Sequence, residues 1–422
     1  MAEITAERRR EILRAIFSRR ILVCGLMGFS CGVPLLLTYG VLQAWMKAEG
    51  VNLGTIGLFT LVHLPYTVKF LWAPFFDRYS LPFLGRRRGW ILVCQIAVAV
   101  AIFSLGQTSP QDAPLVVVLA ALAVTFTSAS QDIVVDAYRR EDLADDEQGL
   151  GSSVYVGGYR LGMLLSSGGG LILSDHIPFP QVYTIMAACM LVGIVTTLIT
   201  PEPQVTAKPP ETLARAVVQP FVEYFRRDSA ILVLLFMLFY KLGDQMASAM
   251  AVPFFLDIGF SRTEVGAIYK LIGTWATIGG SMLGGILILH LGLYRALWGF
   301  GILQMLSTAG FAILALVGKS NWMLTAVILV ENLSMGLGTA AFLGFMAVLT
   351  DKRFTATQFA LLSSLTAVPR AVASAPTGYL AELMNWPGFF VACTIMALPG
   401  LYLLSRFSRQ DTGEEPEPES SS

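Results

Sequence analysis

The chain has 422 residues, 55% of them hydrophobic and only 14% charged, with a formal net charge of zero and a mean hydropathy of +0.65. Soluble domains carry about 25% charged residues, so charge this sparse, gathered between long apolar runs, predicts a protein that crosses the membrane many times. The neutral balance excludes bulk attraction to nucleic acid. The cysteines (Cys24, Cys31, Cys94, Cys189, Cys393) show no C-x-x-C spacing and the histidines (His63, His176, His290) are dispersed, so no disulfide, metal or cofactor is expected.

Residues 1–20 hold all but the last residue of "ITAERRREILRAIFSRRI" (4–21), an arginine-rich amphipathic stretch suited to the cytoplasmic membrane surface. Hydropathy then predicts twelve spans, at 21–45, 53–76, 89–108, 113–137, 150–173, 180–200, 229–256, 264–288, 292–317, 322–350, 356–383 and 386–407. A polar loop, 201–228, separates six spans (21–200) from six (229–407), and the acidic tail, 408–422, has nothing to bury. The expected fold is all-α and integral to the membrane, with twelve transmembrane helices in two pseudo-symmetric six-helix bundles. With both termini in the cytoplasm, the 29 Lys and Arg sort as 21 inside, three outside (Lys47, Arg262, Lys319) and five within spans. That asymmetry obeys the positive-inside rule.

The two halves repeat. Gln148, Ser153, Arg160 and Gly168 in the fifth span match Gln358, Ser363, Arg370 and Gly378 in the eleventh, each 210 positions on, and Gly57 matches Gly266 at 209. A shared spacing at two distant places indicates duplication, the plan of major facilitator transporters. The loop "FFDRYSLPFLGRRRGW" resembles that superfamily's signature between spans two and three. The resemblance implies that Asp77, Arg78, Arg86, Arg87 and Arg88 gate the cytoplasmic side, although four arginines also suit anchoring to anionic lipid.

A charge at a helix centre costs roughly 2.5–3.5 kcal/mol on insertion scales, so intramembrane polar groups face a cavity or one another. The candidates for substrate binding or proton coupling are Gln43, Lys69, Gln131, Asp132, Asp136, Lys241, Asp244, Gln245, Lys270, Glu331 and Asn332. Asp132 and Asp136 are four apart and Lys241 and Asp244 three apart, so each pair shares a helix face. Asp132 and Gln131 are expected in a cavity. Asp136 lies one turn from Arg139 and Arg140, which are expected to mark the membrane's inner edge, so Asp136 is either solvated there or part of a gate. Arg160 and Arg370 are symmetric candidates for bracing or gating. "VGKS" at 317–320 lacks the glycine of a phosphate loop, with Ile313 in its place, and no metalloprotease or dinucleotide motif occurs. No enzyme is expected, and uphill transport would draw on an ion gradient, with protons the first candidate.

The stretches "GVPLLLTYGVLQAWM", "VKFLWAPFFDRY", "SASQDIVVDAYRREDL", "YRLGMLLS", "YKLGDQMASAM" and "TATQFALLSSL" together resemble the AmpG-type muropeptide permeases, in order, from about residue 20 to 405. The resemblance implies proton-driven import of disaccharide-peptides containing N-acetylglucosamine and anhydro-N-acetylmuramic acid across the bacterial inner membrane. It also implies a role in peptidoglycan recycling, with an influence on β-lactamase induction. The partners would be anhydro-muropeptide, protons and the bilayer, with the protein monomeric. The rival is a carrier of the same superfamily for acetyl-coenzyme A, or a sugar–proton symporter. An anionic coenzyme would require an excess of cavity cations, and here acids and bases nearly balance.

Overall fold

The computed structural model describes residues 18–51, 59–204, 212–226, 230–351, 353–366 and 376–407, and the regular structure within them is helical. The N-terminal residues 1–17, the tail from 408, Arg370 and the side chain of Lys270 lie outside the described residues. Among the described residues, nine helical runs are long and apolar enough to cross a membrane, including Arg19–Ala48, Pro114–Asp142, Ala230–Asp257 and Asn321–Leu349.

The three other predicted spans are helical in pieces. The second consists of short turns, Phe59–His63, Leu64–Val68, Lys69–Leu71 and Ala73–Arg78, because Pro65 and Pro74 remove amide donors from the ladder. The fifth runs Gln148–Leu164, through a π-helical turn at Leu165–Gly169, into Gly170–Ser174. The eleventh starts as Thr355–Leu365, and residues 367–375 lie outside the described set. Asn385, with φ 56° and ψ 166°, breaks the helix between the expected ends of spans eleven and twelve. The duplication read from spacing reappears in length: the fourth and tenth spans are both helices of 29 residues, Pro114–Asp142 and Asn321–Leu349.

Contacts divide the chain into two compact units. The first holds Met1–Ala144, Val154–Phe221 and Thr350–Ser364; the second holds Asp145–Ser153, Val222–Leu349 and Leu365–Ser422. The start of the eleventh span thus packs with the first unit. The first unit's core joins Val33, Leu37, Trp45, Val98, Ile102 and Tyr183. The second unit's core is aromatic, with Phe254, Phe255, Phe311, Phe389 and Phe390 in mutual contact.

Lipid is as apolar as leucine, so close packing and polar bonds must hold such helices together. In the first unit a methyl at Gly28 or Gly32 would overlap the backbone carbonyls of Tyr155 or Tyr159. The absent side chains let spans one and five touch backbone to backbone. Leu61, Leu383 and Trp322 remain 67%, 81% and 89% exposed, as expected of lipid-facing or interfacial positions.

Candidate functional sites in the two units

The fourth helix does not stop at residue 137; it continues to Asp142. Arg139 and Arg140 are buried in the protein, at 1% and 4% exposure. Asp136 is buried too and accepts from Arg139 Nη2 at 3.3 Å, which overturns the expectation that it is solvated. Arg139 can lie inside because its guanidinium sits over the rings of Tyr155 and Phe359, 5.0 and 5.4 Å from their centroids.

One turn earlier, Gln131 and Asp132 are buried at 0% and 7%. Gln131 Nε2 donates to Ser30 Oγ at 3.1 Å and to Cys31 Sγ at 3.3 Å, which aims its carbonyl away from the first span. Gln131 Oε1 and Asp132 Oδ1 are buried without a hydrogen-bond partner, and Tyr66 of the second span faces Ser128 within hydrogen-bonding reach. A buried polar atom left unpaired costs about 1–3 kcal/mol, so two on adjacent residues, beside two hydroxyls, mark a place built to receive polar groups. Lys69, buried in the second span, acts electrostatically on both Asp132 and Asp136. The phenol of Tyr66 and the thiol of Cys31 lie within electrostatic reach of Asp132. The sequence reading missed Tyr66, Ser128 and Cys31 because hydroxyls and thiols blend into apolar helices. Arg160 is half-buried beside Tyr159, and Gln43 is half-buried on the helix Leu42–Ala48.

The second unit holds a separate polar cluster. The seventh span breaks at Lys241, where Ala230–Tyr240 ends and Leu242–Asp257 begins, with Lys241 at φ −105° and ψ −3°. The break turns Lys241 inward: Nζ donates to Gln304 Oε1 at 3.3 Å and lies 4.0 Å from Asp244 Oδ2. Glu331, buried on the tenth span, meets Ser307 and Thr308 of the ninth. Asp244 Oδ1 and Gln304 Nε2 have no partner. Asn332 is engaged in helix packing, donating to Ile328 O at 2.9 Å and accepting from Thr277 Oγ1 at 3.2 Å. Gln245 is half-buried one turn past Lys241. Gln304, Ser307 and Thr308 escaped the sequence reading, yet their spacing of three and four puts them on one helix face.

The loop after span two divides its arginines among different tasks. Arg87 is fully buried: Nη2 donates to Asp77 Oδ1 at 2.8 Å and to Glu141 Oε1 at 2.6 Å, and Nη1 donates to Phe76 O at 3.1 Å. Burial alone would lower its pKa, but Glu141 and Asp77 outweigh that and raise it. Arg86 is half-buried and reaches Asp77 O and Arg353 O, at 3.3 and 3.4 Å. Arg88 binds the end of span six through Thr197 O and Leu198 O, at 3.1 and 2.9 Å. Arg78 lies over the ring of Tyr79. Asp77 also accepts from the amides of Ala356 and Thr357, at 3.2 and 2.8 Å, and from Thr357 Oγ1 at 2.7 Å. A carboxylate there meets the positive end of the helix Thr355–Leu365.

No group of three or more His, Cys, Asp or Glu arranged for a metal ion occurs among the described residues. The chain is 43% identical over 396 residues to the anhydromuropeptide permease of Escherichia coli K12, covering 93% of this chain and 81% of that one. It is 38% identical to an uncharacterized Haemophilus influenzae protein, covering 92% and 94%. The solved E. coli fucose:proton symporter FucP superposes with a TM-score of 0.75 at 10% identity, covering 93% and 99%, a likeness of fold. The profile of the Major Facilitator Superfamily matches residues 21–374, and the chain belongs to that family of transporters.

Proposed function

We propose that this transporter imports anhydro-muropeptides from the periplasm to the cytoplasm by alternating access, coupled to the proton gradient across the bacterial inner membrane. The observation that carries the reading is the 43% identity to an anhydromuropeptide permease, sustained over 93% of the chain and hence over both halves. The arginine asymmetry supports placing both termini in the cytoplasm. The protein works as a monomer in this reading.

The polar cluster around Gln131 suits such a cargo. Sugar hydroxyls and acetamides donate and accept, and Gln131 Oε1 with the hydroxyls of Ser128 and Tyr66 offers both. Asp132 is the acid nearest that group and titrates during the cycle. Asp77, with Arg86 and Arg87, holds the start of the eleventh span closed and releases it as the carrier turns over. Arg88 and Arg78 serve the fold of the loop rather than the gate.

Uptake of radiolabelled anhydro-muropeptide into proteoliposomes with an imposed pH gradient tests the reading. Accumulation above the gradient-free control is expected; failure to accumulate it while coenzyme A or a simple sugar is accepted would reverse the assignment. Asp132→Asn is expected to abolish the pH dependence of uptake, and wild-type pH dependence in that variant would remove Asp132 from the coupling role.

A further inference from the structure

The second unit contains a contact pattern that counts protons. Ser307 Oγ lies 2.9 Å from the carbonyl of Gln304, one turn back, and 2.5 Å from Glu331 Oε2. Thr308 Oγ1 lies 3.0 Å from the same carbonyl and 3.4 Å from Glu331 Oε1. Four oxygen contacts therefore surround two hydroxyls, and each hydroxyl has one hydrogen to give. The Gln304 carbonyl can only accept. If Glu331 were a carboxylate it too could only accept: Ser307 would donate to Oε2 and Thr308 to the Gln304 carbonyl, and the 2.9 Å contact between Ser307 Oγ and that carbonyl would hold no hydrogen. A hydrogen on Glu331 Oε2 resolves this: the acid donates to Ser307 Oγ, and the Ser307 hydroxyl donates onward to Gln304 O.

Charge leads to the same place. Asp244, Glu331 and Lys241 are buried at 5%, 4% and 8% exposure. With both acids ionised, these three groups would hold an unbalanced negative charge away from water, which proteins avoid by neutralising the group. With Glu331 neutral, Lys241 balances Asp244. Around Glu331, the ninth span contributes Gln304, Ser307 and Thr308, the seventh contributes Lys241 and Asp244, and the twelfth contributes Cys393. Asn332, next to Glu331 on its own helix, is engaged with Thr277.

We propose that Glu331 is the proton-bearing group of the second unit, and that it passes its proton to Asp244 with Lys241 as the counter-ion both acids share. In this step the O–H bond at Glu331 breaks and one forms at Asp244, the acid that lies within hydrogen-bonding reach of it. Glu331 becomes the carboxylate, Lys241 turns to it from Asp244, and the three groups stay neutral in sum. The move needs only a change of rotamer at Lys241, which sits at the turn between Ala230–Tyr240 and Leu242–Asp257. This inference rests on the proton coupling proposed above and assigns it a residue pair in the second unit.

Infrared difference spectroscopy of the purified transporter tests the protonation without any cargo. A carboxylic C=O stretch that vanishes in Glu331→Gln and shifts in Ser307→Ala is expected. Spectra of the wild type and Glu331→Gln that coincide in this region would overturn the proposal. In proteoliposomes, Glu331→Gln is expected to lose gradient-driven accumulation of anhydro-muropeptide while exchange at equal pH falls far less. Gradient-driven accumulation at the wild-type level would equally overturn it. Should the wild type itself fail to accumulate this cargo, the cargo assignment falls while the infrared result still decides the proton site. Should Glu331→Gln fail to fold, Ser307→Ala carries the test, and an unshifted carboxylic band there would overturn the proposal.

Discussion

Arg87 shows how much a single side chain holds in place. Its guanidinium is fully buried between Asp77 and Glu141, and Glu141 takes Nε and Nη2 together, at 3.0 and 2.6 Å. Removing one partner of such a group leaves the others buried and uncompensated, which costs about 3–5 kcal/mol. Arg87→Ala is therefore expected to lower the thermal midpoint of the detergent-purified protein by much more than Arg78→Ala. Arg87→Lys should recover only part, because an ammonium cannot present the planar fork that meets two carboxylates at once. The pKa of Arg87 is raised, so its contribution to stability is fully present below its ordinary value and is lost only as pH rises past the folded one. The pair is thus insensitive to pH across the range in which cells live. At this scale the sequence identified the residues but not their assignments. "GRRRGW" presents three equivalent arginines, and what separates them is Glu141, 54 residues away for Arg87, and the carbonyls closing span six, 109 and 110 away for Arg88.

At the scale of elements, the loop acts on a helix end. The first amides of any α-helix lack intrahelical acceptors, and Asp77 supplies both of its oxygens to two such amides in the helix Thr355–Leu365. Capping of this kind contributes about 0.5–2 kcal/mol. Asp77→Ala is expected to speed hydrogen–deuterium exchange at Ala356 and Thr357 while leaving the amides of Pro114–Asp142 as protected as before. Equal protection at residues 356 and 357 in the variant would show the cap to be idle. Helix existence was legible from hydropathy, because a run of apolar residues needs no partner to declare itself. Breaks were not. Lys241 reads as one more polar residue in an apolar run, and no glycine or proline at that position announces the turn in its backbone. The second span is interrupted for a simpler reason, since Pro65 and Pro74 lack the amide hydrogens that a continuous ladder needs.

Across the whole molecule, duplication gave two 29-residue helices but did not give them the same chemistry. By the repeat spacing of 209–210, Asp132 corresponds to position 341 or 342, so Glu331 lies ten or eleven residues earlier on the equivalent helix. At 1.5 Å per residue that is about 15 Å of helix axis. The repeat itself was visible in sequence spacing, whereas the partners of each acid were not. Tyr66 and Ser128 in one unit and Gln304 and Ser307 in the other are brought in by tertiary packing alone. The two acids serve either one proton in turn or one proton each. Kinetics separates these cases. If one proton visits both acids in turn, blocking either halts the same cycle, and the double variant Asp132→Asn with Glu331→Gln is expected to drive uptake no more slowly than the slower single variant. If each acid carries its own proton, the two defects multiply, as free energies of independent sites add. Initial rates of anhydro-muropeptide uptake under one imposed pH gradient, measured for the four proteins of this cycle, distinguish the outcomes. A double variant slowed by the product of the single defects would rule out the serial route.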